Sequence, residues 1–565
     1  MVLGTRGGSH WRLLFESWAG RSDRPRPIHH LSPLADGGVR PRGKTAKHLP
    51  WVPQSAPVWP GHPAASTLPV RRELSTQGDI RILNAAADLG PELILDVASG
   101  RRVAIGPGLR GAVERSCAHA RAVLREGGAV YGVNTGMGAL SGVRLTEPQQ
   151  GAHQRNLMLA RATGGPPWLG AADTRAVIAV RLRTFLSGDS GVSAGLCQRL
   201  VDVLDAGLIP AVPRTGVGSA GEIIPLAHAF GPLAGLGRVL RAGGETAPAA
   251  DALREQGLDE FTLGPKEGVA LLAGVPGATA LSLRRLAEAT ALAARMEAAA
   301  GLSVAAARAS HDPYLAECAR GDDLLGQVLG RLRRIIGEPS TGEEPRALQA
   351  PVSFRVAGPV LAEVWRAGGA LAAAVARSLD GVTDSPAFLG GRFVGTAGFH
   401  GIGLAAHCGQ LVAALAHATE VSAARVHRLL DPRVTGLPAQ LAGTPGPDTG
   451  LVTVHKRAAG EVHALRRLAG PAAVGLIETS GGQEDVQSFA WEAAESLRET
   501  LRHAGIVAAC ELLTAYRAIT LSGRRPPGAS GELLGLLTPV IGPVDADRPF
   551  GEDIERLAAA PWPAP

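Results

Sequence analysis

The chain has 565 residues, enough to bury a large core, and carries 57 Lys or Arg against 51 Asp or Glu, a net of +6. Eleven of those cations but only Glu16, Asp23, Asp36 and Glu73 fall in residues 1–73, so the rest of the chain nets −1 with both signs mixed. A body without a basic stripe argues against nucleic-acid binding, and Ala- and Leu-rich helical runs argue against general disorder despite 74 glycines and 41 prolines.

Residues 1–74 are a basic, proline-rich extension holding Trp11, Trp18, Trp51 and Trp59, half of the eight tryptophans. They read as poorly ordered chain, or as an arm for a partner or an anchor. A first domain spans 75–275. Within it Ile80–Leu89 and the apolar run Leu93–Val97 lead to a small strand at Val103–Ile105. Leu109–Leu124 has amphipathic helical spacing and stops at Glu126-Gly127-Gly128. Val130 to Gly138 breaks all periodicity. Helices follow around His153–Ala162 and Ala171–Leu186, and Asp202–Leu208 stops before the glycine-dense loop from Gly216 to Glu222. Its glycines let backbone amides approach an anion or a neighbouring carbonyl. A helix restarts over Pro225–Leu233.

The helices Glu267–Leu272, Ala280–Ala307 and Gly358–Leu379 are apolar around most of their circumference, as in helices buried on several sides. The last two belong to a central bundle at 276–525. Loops at Pro345–Arg355 and Ser385–Phe399 cut into these runs, and helices return at Val454–Leu468 and from Ser488 towards Ile519. Residues 526–565 close the chain. Strand-like alternation is scarce, so the predicted fold is all-α, a long-helix bundle with a small mixed N-terminal part. Cys117, Cys197, Cys318, Cys408 and Cys510 are odd in number, scattered and without metal-ligand spacing. They fit reduced core thiols of a cytoplasmic protein, with no metal site. No uninterrupted apolar stretch long enough for a bilayer and no signal segment are predicted, so no membrane partner is expected.

Six motifs occur in order. Tyr131-Gly-Val-Asn-Thr-Gly-Met-Gly is followed by Gln154-Arg-Asn-Leu, Thr383-Asp-Ser-Pro, Gly398-Phe-His-Gly, Ser480-Gly-Gly-Gln-Glu-Asp and Asp547-Arg-Pro-Phe-Gly-Glu-Asp-Ile. Over about residues 85 to 560 the chain thereby resembles the aromatic amino-acid lyase family, with histidine ammonia-lyase the nearest pattern. The resemblance implies a bundle of the histidine/phenylalanine ammonia-lyase type, assembled as a homotetramer whose active sites are each lined by several subunits. It also implies elimination or migration of an amino group through a methylidene-imidazolone. That group forms within the chain from Ala-Ser-Gly, when the glycine amide attacks the alanine carbonyl and the serine side chain leaves as water.

This sequence departs from the pattern at the precursor. Anchored on Gly221-Glu222 and Pro225–His228, Ala220 stands where the serine belongs and Ser219 where the alanine belongs. The run from Pro213 to Gly221 is one residue short. Alanine cannot dehydrate to an alkene. In the other register, Gly218-Ser219-Ala220, the Ala220 amide must attack, and its Cβ crowds a turn that glycine normally relieves. Ala273 stands where the resemblance places an asparagine and Val352 where it places a tyrosine, and neither can exchange a proton.

Other positions match. By resemblance Tyr131 and Glu484 are the catalytic candidates, and Arg355 clamps a substrate carboxylate through its planar fork. Gln349, Phe399 and Gln483 line the substrate, while Asn134, Asp384 and His400 support the loops. Arg161 stands near a histidine of the histidine lyases. Turned inward it favours an anionic group, and turned outward it is a snorkelling surface side chain. His228 reads as a core hydrogen-bonding residue. The leading expectation is an enzyme needing no cofactor, which eliminates, isomerises or cyclises a small carboxylate-bearing substrate. The alternatives are an amino-acid ammonia-lyase or aminomutase with a prosthetic group from Gly218-Ser219-Ala220, and a non-catalytic oligomeric binding or scaffold protein.

Overall fold

Ala and Leu lose little side-chain freedom in a helix, and this chain uses them to make very long ones. The computed structural model describes residues 80–338, 344–475, 477–524, 526, 528–543 and 546–560, all within one unit, Pro69–Pro565. The basic extension 1–74 lies outside the described residues.

The N-terminal part is mixed, as predicted. Strand β1 (Arg81–Leu83) pairs in parallel with β2 (Val103–Ile105) around helix α1 (Pro91–Ala98), and α2 (Pro107–Arg125) follows. The helix α3 (Glu147–Arg161) starts well before the predicted His153, because Thr146 and Gln149 form a capping box with a proline at its first turn. Next come α4 (Ala171–Leu186) and α5 (Ala194–Asp205), capped by Ser193. Strand β3 (Ile209–Pro210) leads through the glycine loop to α6 (Ile223–Phe230). The antiparallel strands β4 (Arg238–Leu240) and β5 (Thr246–Pro248) join β3, and α7 (Ala249–Glu255) and α8 (Glu267–Leu272) complete this part.

The bundle is built on α9 (Pro276–Ala307), α10 (Asp323–Ile336), the single turn α11 (Val352–Arg355) and α12 (Ala357–Asp380). After the hairpin of β6 (Ala387–Leu389) and β7 (Arg392–Val394) come α13 (Ile402–Leu429), α14 (Pro432–Thr435) and α15 (Val452–Arg466). Helices α16 (Ala490–Leu521), α17 (Ser530–Ile541) and α18 (Phe550–Ala559) finish the chain. Helix α16 is the axis, packed by α9, α13, α15 and α18. The long α13 is the main element that periodicity failed to delimit. It starts directly behind the Gly398–His400 turn, where the sequence shows only a glycine-rich loop.

One expectation needs correction. Three helical segments are long and apolar enough to cross a membrane by length and composition. In Glu267–Ala307 and Ala490–Leu521 the apolar windows are 89% and 83% buried inside the molecule, whereas that of Gly398–Leu429 is 39% buried. Core helices of a large bundle reach such hydropathy because they are packed on several sides. Four cysteines are buried and Cys318 is exposed; all five are unpaired, and burial raises the thiols of Cys197, Cys408 and Cys510 to about 12.

Candidate active site

The tyrosine loop owes its shape to polar side chains that replace secondary structure. Asn134 accepts the Val130 N–H at 2.7 Å, donates to Gly128 O at 2.7 Å and is braced by Arg144. Gln154, fully buried on α3, donates to Gly132 O and accepts the Val269 N–H of α8, so it fastens the loop to the core. Gly132 has a φ of +69°, and a Cβ there would lie 2.9 Å from Met137. Held this way, Tyr131 remains 37% exposed, and its Oη accepts the Gly138 N–H at 2.8 Å.

Arg161, the last residue of α3, turns inward. It is half-buried, its guanidinium contacts Met137 Sδ at 3.9 Å, and no carboxylate pairs with it among the described residues. Burial holds it below the ordinary arginine range, while the charges of Tyr131 and Glu484 pull the other way. The snorkelling alternative does not describe this placement.

The glycine loop lies against the same group. Ala220 N–H donates to Glu484 Oε2 at 2.9 Å, and Ser219 Oγ donates to Gly221 O at 2.9 Å. A Cβ at Gly221 would sit 3.6 Å from Gly274 O and 3.8 Å from Phe399 O, so the loop rests on both backbones. The turn at Gly138–Leu140 packs on the turn at Ser480–Gly482, which brings the tyrosine and glutamate motifs together. Gln483 is exposed beside Glu484. His400 lends its carbonyl to Ser488 Oγ, and its ring makes no hydrogen bond among the described residues. His228 accepts the Gly164 N–H at 3.0 Å, the core role its position suggested.

Behind the loop lies a charged layer. Asp384 is buried and paired with Lys266 at 2.8 Å, while its backbone carbonyl accepts from Thr396. Arg181 is fully buried between the rings of Phe185 and Phe230, and donates to the carbonyl of Ala273. Glu222 accepts the Gly277 and Ala278 N–H groups at the start of α9, yet burial pushes it up to about 8. Glu492, in the first turn of α16, bonds the Val217 N–H and is pushed by burial up to about 7. Lys266, Arg181 and Glu492 were not singled out from sequence, and Glu222 served there only to fix the register of the glycine loop. Nothing local marks a charged residue that tertiary packing will bury.

Gln349, Val352 and Arg355 do not join this group. No hydrogen bond or ion pair links them to Tyr131, Arg161 or Glu484 among the described residues. Arg355 donates to Ala350 O at 2.9 Å, and Gln349 is exposed. Leu348 is 95% and Val352 58% exposed.

The family model for aromatic amino acid lyases matches residues 89–536. The chain belongs to the aromatic amino-acid lyase family. It is thus a lyase-like enzyme on the predicted scaffold. It is 31% identical over 485 residues to histidine ammonia-lyase of Anaeromyxobacter dehalogenans (strain 2CP-C), covering 83% of this chain and 96% of that one. Against the histidine ammonia-lyase of Symbiobacterium thermophilum it is 32% identical, covering 83% and 94%. The structure superposes on tyrosine aminomutase from Streptomyces globisporus with a TM-score of 0.78 at 26% identity, covering 83% and 94%. Ergothionase from Treponema denticola shares the fold, with a TM-score of 0.79 at 24% identity and 85% and 98% coverage.

Proposed function

We propose that this member of the family works without a methylidene-imidazolone, by proton transfer through Tyr131 on a small substrate with two anionic or polar ends. The observation that carries the reading is the grouping of Tyr131, Arg161 and Glu484 against a loop whose middle residue, in the family register, is Ala220. Ala220 has no leaving group. In the shifted register the attacking nitrogen would be that of Ala220, which is engaged by Glu484 at 2.9 Å and carries a Cβ. These residues do not suit formation of the group, and the remaining chemistry belongs to side chains.

A free phenol is a weak base near neutrality. The Gly138 N–H fixes Tyr131 Oη at 2.8 Å and Arg161 lies within electrostatic reach of it, so the loop positions this hydroxyl for proton transfer. Arg161, lacking a carboxylate of its own, receives one anionic end of the substrate. Arg355 receives a carboxylate at the other through two parallel hydrogen bonds. Glu484 holds the loop and supplies a second proton-carrying group. In this reading the 348–355 segment of one copy, exposed at Leu348, Gln349 and Val352, completes the site of another, in an oligomer. The reaction is an elimination, isomerisation or cyclisation begun by proton removal next to the carboxylate. A panel of mono- and dicarboxylic amino and hydroxy acids tests it. Turnover should favour dicarboxylic acids and collapse in Tyr131→Phe; equal rates in the two proteins would remove Tyr131 from the mechanism.

A further inference from the structure

The turn that carries Arg355 is poorly equipped to hold itself. Helix α11 has four residues and is closed at its ends by Phe354 N–H to Pro351 O at 3.0 Å and Val356 N–H to Val352 O at 3.1 Å. So short a helix gains no cooperative stability. Its outer side, at Leu348, Gln349 and Val352, is exposed and gives it no support. The support comes from inside the bundle.

Arg425 on α13 and Glu511 on α16 form an ion pair that is 2% and 0% exposed. Glu511 takes Arg425 Nε at 2.5 Å and Nη2 at 2.9 Å, together with Ser303 Oγ from α9 at 2.7 Å and Ser422 Oγ at 2.5 Å. Four donors satisfy the carboxylate. The third nitrogen of Arg425 is left to point outward, and its Nη1 donates to Ser353 O at 3.0 Å. Close to the same pair, the buried Tyr314 Oη donates to Phe354 O. The two carbonyls preceding Arg355 are therefore gripped by buried side chains, and Arg355 Nε itself is tied to Ala350 O.

A buried ion pair is seldom worth more to stability than well-packed apolar residues of the same volume. What this one adds is direction, because a planar guanidinium locked on two sides can aim its third edge at one carbonyl. We infer that Arg425 and Glu511 are a positioning pair, with Tyr314 as a second brace, fixing the turn from which Arg355 reaches the substrate carboxylate. The inference rests on the carboxylate-binding role of Arg355 given above. It also makes a claim about backbone order that holds whether or not that role is right.

Arg425→Lys keeps the charge but cannot grip Glu511 through two nitrogens while holding Ser353 O with a third. Hydrogen exchange of the peptide covering 350–357 should speed up about tenfold in this variant. Exchange over 130–138 should stay as in the wild type. Unchanged exchange at 350–357 would overturn the proposal even if no substrate had been found. With a turned-over dicarboxylic acid, Arg425→Lys should lower kcat/KM about tenfold, mainly through KM, and add nothing to Arg355→Ala. Losses that simply add in the double variant would contradict the coupling. Should Arg425→Lys fail to fold, Tyr314→Phe is read by the same two measurements, with the same expected and contrary results.

Discussion

The tyrosine loop and the arginine turn are held in opposite ways. Around Tyr131 the loop is held largely within itself, through Asn134 and the Gly138 N–H, with the buried Gln154 behind it and the glycine loop tied alongside through the Glu484–Ala220 bond. Around Arg355, the buried Arg425 and Tyr314 hold the turn from behind, and the side towards solvent exposes Leu348 and Val352. On the proposed reading, one region is a half-site supplied by a single chain and the other is prepared from inside to meet something outside, so the proton-transfer group and the carboxylate clamp are separate devices.

Breaking the first region should cost most. Tyr131→Phe removes the only phenol of the loop and should lower kcat about a thousandfold, with the fold unchanged by circular dichroism. Breaking the second should cost about a hundredfold in kcat/KM for Arg355→Ala, carried mainly by KM. Mixing the two impaired variants sharpens the comparison. If the halves of a site come from different copies, co-expressed Tyr131→Phe and Arg355→Ala chains show a higher kcat/KM than either variant alone. If both halves serve one chain, the mixture shows only the average of the two.

The sequence made the first region far easier to read than the second. Tyr131, Asn134, Gln154 and Glu484 sit in the motifs that carry the family resemblance, two of them glycine-rich, so they were legible together. The inward turn of Arg161 was one of two open choices, and its contact with Met137 Sδ of the tyrosine loop at 3.9 Å decides it. Arg425, Glu511, Lys266 and Glu492 were invisible because each lies within or beside an apolar run, where a lone charge usually marks a solvated face. The long bundle helices were legible from Ala- and Leu-rich periodicity. Their ends were less so: Thr146 caps a helix that the apolar pattern starts later, and α13 begins inside what reads as a loop.

A smaller effect distinguishes the support of the glycine loop. Burial raises Glu492 from about 4.5 to about 7, so the folded chain resists its ionisation. That contribution to stability is fully present below about pH 4.5 and is lost as the pH rises towards 7. Glu492→Gln, which keeps an acceptor for the Val217 N–H, should remove about 3 kcal/mol of this fall. Thermal melts from pH 4 to 8 measure it, and parallel curves for the two proteins would place the Glu492 charge elsewhere. Smallest of all, Arg161→Ala should narrow the preference for dicarboxylic over monocarboxylic substrates about tenfold, leaving turnover of the latter nearly unchanged. An equal loss for both classes would assign Arg161 to the loop's structure.

The most direct measurement is the mass of the peptide spanning residues 214–230 in the purified protein. Ring closure and serine dehydration would each remove one water. The account predicts the unmodified mass, with Ser219 and Ala220 intact. A peptide lighter by two waters would show that Gly218-Ser219-Ala220 cyclises after all, and the reading of an enzyme without the family's electrophile would be wrong.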